Sequence, residues 1–127
     1  MAGPKILIID DNDVFVNYLK ALLEGDFPNI VRASDGEIGL GMAKSEAPNI
    51  ILLDMIMPKM NGLEVAQALQ EAPETLKIPI LILTGTDFDA TTQELLREQP
   101  NVRACLSKTC GPKTIIDLVA QTLAPAA

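Results

Sequence analysis

Five short runs of β-branched residues and leucine recur along the chain, at Lys5–Asp10, Asn29–Ala33, Asn49–Leu53, Ile78–Leu83 and Val102–Leu106. The first, third and fourth contain ILII, IILL and ILIL, apolar stretches with no polar alternation. A sheet covered on one face alternates apolar with polar positions, whereas a strand covered on both faces does not, so these three are expected inside a parallel sheet. Between the runs the spacing becomes helical. Phe15, Tyr18, Leu19, Leu22 and Leu23 make one apolar stripe, and Ile115, Leu118, Val119, Thr122 and Leu123 make another. Ser34-x-x-Glu37 has the form of a capping box before the second helix, Asp87 is placed to cap the fourth, and Pro112 suits the first turn of the fifth. The third and fourth helices are expected at approximately 62–72 and 88–98. Five strand-helix alternations predict a three-layer α/β domain, because parallel strands need crossovers and those crossovers are right-handed helices lying on the sheet.

Composition narrows the function classes. The 127 residues, 48% of them hydrophobic, suit one domain with a real core, residues 1–127 as a unit. The Ala124-Pro125-Ala126-Ala127 tail reads as the start of a linker or as a frayed end. Seventeen acidic against ten basic residues give a net charge of −7, which disfavours nucleic acid and anionic lipid as direct partners. No apolar run approaches the roughly 20 residues of a membrane span and no secretory signal is present, so a cytoplasmic location is expected. Cys105 and Cys110 are too few for a disulfide framework and read as buried structural thiols. With no histidine in the chain, Ser-His and Cys-His machinery is excluded. The available chemistry belongs to carboxylates, hydroxyls and lysine.

Ligand sites of open parallel sheets lie beyond the carboxyl ends of the strands. There the sequence places Asp10 and Asp11 after the first strand, Asp54 after the third, Thr84, Gly85 and Thr86 after the fourth, and Ser107 and Lys108 after the fifth. A lone Asp in such a place is usually a turn former or a cap, and Asp13 reads as no more than that. Four strand ends each delivering a useful group make a different case. Three crowded carboxylates repel unless a cation joins them, and hard oxygen ligands suit Mg²⁺, with Mn²⁺ as an alternative ion. Mg²⁺ commonly takes one or two carboxylates, leaving a third able to attack a phosphoryl group while Lys108 and Thr84 hold the phosphate oxygens.

These residues resemble, along essentially the whole chain, the receiver domains of bacterial two-component response regulators. The phosphoacceptor strand and loop of that family matches Asp54-Met55-Ile56-Met57-Pro58-Lys59-Met60-Asn61-Gly62, with Ile8-Ile9-Asp10-Asp11 before it and Thr84 and Lys108 after it. The resemblance implies a flavodoxin-like fold with strand order 2-1-3-4-5. It implies Asp54 as phosphoacceptor, and Asp11, Asp54 and the Ile56 carbonyl as ligands of Mg²⁺, with Asp10 acting through a metal-bound water. It further implies Thr84 as the switching hydroxyl, Lys108 as counter-ion, and Ile56 and Thr86 as residues that tune the lifetime of the acyl phosphate. Its phosphodonor is a histidine kinase or a phosphotransfer protein, and the receiver assists its own transfer and hydrolysis without being a dedicated enzyme. The family's output face, helix four with strand five and helix five, falls roughly at Asp89–Leu123 and serves a homodimer, an output domain or another partner.

Two positions depart from the family pattern. Cys105 stands where an aromatic switch residue is usual, and Thr109 follows the lysine where a proline is usual, so the output route is expected to be atypical and the loop after strand five less constrained. Three other readings compete. A receiver-like module that is never phosphorylated is opposed by the intact Asp10, Asp11, Asp54, Thr84 and Lys108. An aspartyl-nucleophile phosphatase needs an acid two residues after its nucleophile, where Ile56 stands. Flavin binding on the same architecture would have three phenylalanines and one tyrosine to cover the ring system, and would colour the protein.

Overall fold

A computed structural model of the chain describes residues 3–85 and 90–124. Within them, five strands alternate with five helices: β1 (Ile6–Ile9), α1 (Asp13–Leu23), β2 (Ile30–Ala33), α2 (Gly36–Glu46), β3 (Ile50–Asp54), α3 (Gly62–Gln70), β4 (Ile80–Thr84), α4 (Ala90–Arg97), β5 (Val102–Ser107) and α5 (Pro112–Leu123). The strands form one parallel sheet in the order β2-β1-β3-β4-β5, the flavodoxin-like order. The three uninterrupted apolar runs are the three interior strands.

Side-chain alternation along those strands divides the core in two. Leu7, Ile9, Ile51, Leu53, Ile80 and Ile82 face Ala43 of α2, Val65, Ala66 and Leu69 of α3, and Leu96 of α4. Ile6, Ile8, Ile50, Leu52, Leu81 and Leu83 face Val16, Leu19 and Leu23 of α1 and Ile115 and Val119 of α5. A strand slipped by one residue would exchange these sets and empty both layers, so the pattern itself enforces the register. In α1 the buried face is offset from the predicted stripe: Val16 lies inside, and Tyr18 is 39% exposed.

The caps are where local reading and structure part. Asp35, not Ser34, caps α2, its Oδ1 accepting the Ile38 N–H at 2.9 Å. The two positions offer equivalent acceptors one residue apart; the carboxylate at the helix N-terminus, where the helix dipole favours negative charge, is the one used. A full capping box, with Asn61 and Glu64 exchanging hydrogen bonds, opens α3 instead. Pro112 occupies the first turn of α5 as expected. The proposed cap Asp87 and residues 125–127 of the tail lie outside the described residues.

Glycine lets α2 lie close to the sheet. A Cβ on Gly39 would stand 2.6 Å from Cδ1 of the fully buried Ile9, which has no room to retreat. Gly41, on the exposed side of the same helix, has no such neighbour within 4 Å. Gly39→Ala is therefore expected to cost about 1–3 kcal/mol through overpacking. Gly41→Ala should gain about 0.5–1 kcal/mol because a flexible residue leaves a helix interior. Urea denaturation of the two variants checks both signs.

Candidate functional site

Sheet register decides which side chains meet at the carboxyl edge. Ile9 of β1 is level with Leu53 of β3, so Asp10 and Asp54 leave the sheet side by side. Asp54 is level with Leu83, and Leu83 with Leu106, which brings Thr84, Ser107 and Lys108 to the same edge. Strand order reverses between β1 and β3, the crevice where open α/β sheets bind ligands.

Carboxylate oxygens of Asp10, Asp11 and Asp54 lie within 4.8 Å of one another. Asp10 is 2% and Asp54 6% exposed, while Asp11 faces solvent. Lys108 enters this group from β5, its Nζ 2.9 Å from Oδ2 of Asp10 and 3.7 Å from Oδ2 of Asp54. Its backbone N–H donates to the Thr84 carbonyl at 2.8 Å, tying the lysine to the end of β4, where Thr84 is buried. Burial, and after it the negative charge of Asp10, push the Asp54 carboxyl up to about 6, against the opposing pull of Lys108 and of a backbone hydrogen bond from Ile56.

The turn carrying Asp10 is held by Asn12 within it and by Arg32 of β2. Asp10 Oδ1 accepts the Asn12 N–H at 2.9 Å, and the Asn12 side chain caps α1 by accepting the Phe15 N–H at 3.1 Å. From β2, Arg32 donates Nε and Nη2 to the Asp10 carbonyl at 3.0 and 2.8 Å and pairs with Asp13 at 2.8 Å. Asp13 is thus an ion-pair partner at the start of α1 and stands apart from the three-carboxylate group. Arg32 joins segments far apart in sequence and carries no local signal; Asn12 was readable as a cap.

After Asp54 the chain folds back tightly. Met55 is buried, Gly62 N–H donates to the Met55 carbonyl at 2.8 Å, and a Cβ on Gly62 would meet the Asp54 carbonyl oxygen and Met55 Cα at 2.9 Å each, so only glycine fits there. Lys59 adopts φ 73°, a left-handed backbone, and its ammonium lies 3.5 Å from Asp35 and 3.7 Å from Glu37. Ile56, two residues past Asp54, is 58% exposed.

β5 alters the expectation for the cysteines. Both are free thiols: Cys105 is exposed because β5 is an edge strand whose alternate residues face out, while Cys110, in the turn after it, is half-buried against the α1 and α5 core. Partial desolvation pushes the Cys105 thiol up, with Arg97 pulling the other way, so it is not an activated thiolate. In the turn after β5, the Ser107 and Thr109 hydroxyls are 2.7 Å apart, the Thr109 N–H donates to Ser107 Oγ at 3.1 Å, and the Cys110 N–H to the Ser107 carbonyl at 3.0 Å. Side-chain bonding of this kind fixes a turn without proline. Thr86 lies outside the described residues.

The raised Asp54 carboxyl sets a stability dependence on pH. In the folded chain it keeps its proton up to about 6, whereas in the unfolded chain it loses it near 3.8. The native state therefore binds more protons between these values, and stability falls as pH rises through that window. Asp54→Asn is expected to raise the melting temperature at pH 7.5 and to change it little at pH 3.5; thermal melts at the two pH values, without divalent metal, test the difference.

Known proteins sharing these features agree with one another. Residues 6–120 match the response regulator receiver domain family. The chain is 30% identical over 120 residues to protein PilH of Pseudomonas aeruginosa, covering 94% of this chain and 98% of PilH. It is 41% identical over 83 residues to the alkaline phosphatase synthesis transcriptional regulatory protein PhoP of Bacillus subtilis, which covers 65% of this chain and 34% of that regulator. Its fold is that of the receiver domain of a sensor histidine kinase from Pseudomonas aeruginosa PAO1, solved with a magnesium ion coordinated in the active-site cleft, at a TM-score of 0.84, 20% identity, and coverage of 96% and 98%. With the strand order, the acidic crevice and the lysine that enters it, the chain belongs to the response regulator receiver domain family of two-component signalling.

Proposed function

We propose that the chain acts as a single receiver unit that accepts a phosphoryl group on Asp54 from a histidine kinase or a phosphotransfer protein of the cytoplasm. The observation that carries this reading is the Lys108 ammonium 2.9 Å from Asp10 and 3.7 Å from Asp54, inside a group of carboxylates whose oxygens lie within 4.8 Å. In the transfer, an Asp54 oxygen forms a bond to phosphorus as the phosphohistidine P–N bond breaks, and the imidazole keeps the electron pair and takes up a proton. Asp54 must be ionised to attack; burial and the charge of Asp10 oppose that form, and a cation at the site would favour it. Lys108 then meets the charge of the phosphoryl oxygens and Thr84 donates its hydroxyl to one of them.

The donor set fits Mg²⁺, or Mn²⁺ in its place: clustered hard carboxylate oxygens, two of them on buried residues, with one ammonium too few to neutralise them. Asp11, Asp54 and the Ile56 carbonyl would hold the ion, with Asp10 reached through water. When bound, it supplies positive charge for the phosphoryl oxygens in the transition state. Ile56 and Thr86 are the residues that set the life of the acyl phosphate, and the exposure of Ile56 beside Asp54 suits a side chain that obstructs water. The surface of α4, β5 and α5 passes the signal to an output domain, a second copy or another partner, by a route lacking the usual aromatic group because Cys105 occupies its position.

Incubated with acetyl phosphate and Mg²⁺, the wild-type protein is expected to gain one phosphoryl group by intact mass and to shift on a Phos-tag gel. Asp54→Ala should gain none; equal gain in that variant, or none in wild type, would overturn the assignment. Ile56→Ala should shorten the lifetime of the phosphorylated form, read as a larger decay rate constant after the donor is removed.

A further inference from the structure

Two of the chain's aromatic rings stand beside the site without a part in the reaction just described. The ring of Phe15, in the first turn of α1, has its centroid 4.6 Å from Lys108 Nζ. Tyr18, one turn further along, stacks on Phe15 with centroids 5.7 Å apart and planes tilted by 34°. Phe15 is half-buried against the α1 and α5 core, and the Lys108 side chain is 15% exposed, so the ammonium and the ring meet where little water intervenes. Attraction between a cation and the negative face of a ring is strongest under such desolvation.

We propose that Phe15 is a positioning residue for Lys108, holding its ammonium over the ring, and that the Phe15–Tyr18 pair transmits movement of that ammonium to the outer surface of α1. The first half stands on the contact itself; the second rests on the phosphorylation reading. A carboxylate partner neutralises the lysine, whereas a neutral ring holds it in place and leaves its charge for an incoming anion. Phe15 is suited to this because its position is not independent of the site: Asn12 caps α1 through the Phe15 N–H and donates its own N–H to Asp10, the nearer carboxylate partner of Lys108. Ring and carboxylate therefore belong to one turn, and the ammonium reaches both from the end of β5. When the ammonium advances from Asp10 towards a group on Asp54, it leaves the ring face, and Phe15 relaxes against the neighbour one turn away on the same face of the helix. Aromatic coupling then resides on α1, in a chain whose β5 carries Cys105 at the usual aromatic position.

Three measurements on the intact chain test this. With ¹³C-labelled lysine, and Lys108→Arg to assign the signal, the Lys108 ε-methylene protons should resonate upfield through the ring current and return to the ordinary lysine position in Phe15→Leu. Equal shifts in the two proteins would overturn the contact, and because no phosphoryl group is involved this arm is independent of the role of Asp54. Replacing Phe15 by mono-, di- and trifluorinated phenylalanine keeps its shape and weakens its negative face. Phosphoryl gain from acetyl phosphate should slow stepwise, by about three- to tenfold across the series, at unchanged melting temperature; a flat series would overturn the positioning role. Finally, the chain has one tyrosine and no tryptophan, so its emission reports on Tyr18 alone. Phosphorylation should change that emission in wild type and leave it unchanged in Phe15→Leu that has gained the phosphoryl group by mass. Unchanged wild-type emission alongside a verified phosphoryl gain would overturn the coupling.

Discussion

Negative charge crowded at the carboxyl edge of the sheet, held by one ammonium, is the constraint around which the molecule is arranged. Two unit charges 4 Å apart interact by about 4 kcal/mol at the effective dielectric of a protein surface. Carboxylate oxygens of Asp10, Asp11 and Asp54 lie within 4.8 Å of one another, so their repulsion is of this order. Lys108 offsets part of the repulsion, yet Asp54 still keeps its proton up to about 6. The cluster is thus under-neutralised, with three carboxylates gathered about one ammonium.

Such a cluster needs a rigid mount, and the packing supplies it. Interior strands buried on both faces fix the heights at which Asp10, Asp54 and Thr84 emerge. Arg32 and Asn12 hold the turn after β1, and Gly62 allows the chain after Asp54 to double back against its own backbone. None of these groups has to take part in chemistry. Their effect is to hold charges together that would otherwise separate.

How much of this was legible in the sequence depends on the range of the interaction. Uninterrupted apolar runs disclosed the interior strands, because a parallel sheet leaves no solvated face, and the polar residues ending four of the five runs pointed to the edge where the carboxylates and Lys108 meet. One-residue distinctions were harder: Ser34 and Asp35 both cap helices well, and their choice depends on where the chain leaves β2. Composition misjudged the cysteines, since thiols are generally buried while Cys105 lies on the outward side of an edge strand. Contacts such as Phe15 with Lys108 or Arg32 with the Asp10 carbonyl bridge segments with no shared periodicity and are evident only in three dimensions.

The pairing of β4 with β5 is interrupted: Ile80 aligns with Val102, but Leu81 aligns with Ala104, leaving Arg103 as an extra residue. Val102 consequently packs in one core layer, and Ala104 and Leu106 in the other. A bulge of this kind also spoils the outer margin of the sheet as a template, since a newcomer hydrogen-bonding along β5 would lose step at Arg103 and meet its exposed, charged side chain. The irregularity thus leaves the β5 edge a poor template for a further strand.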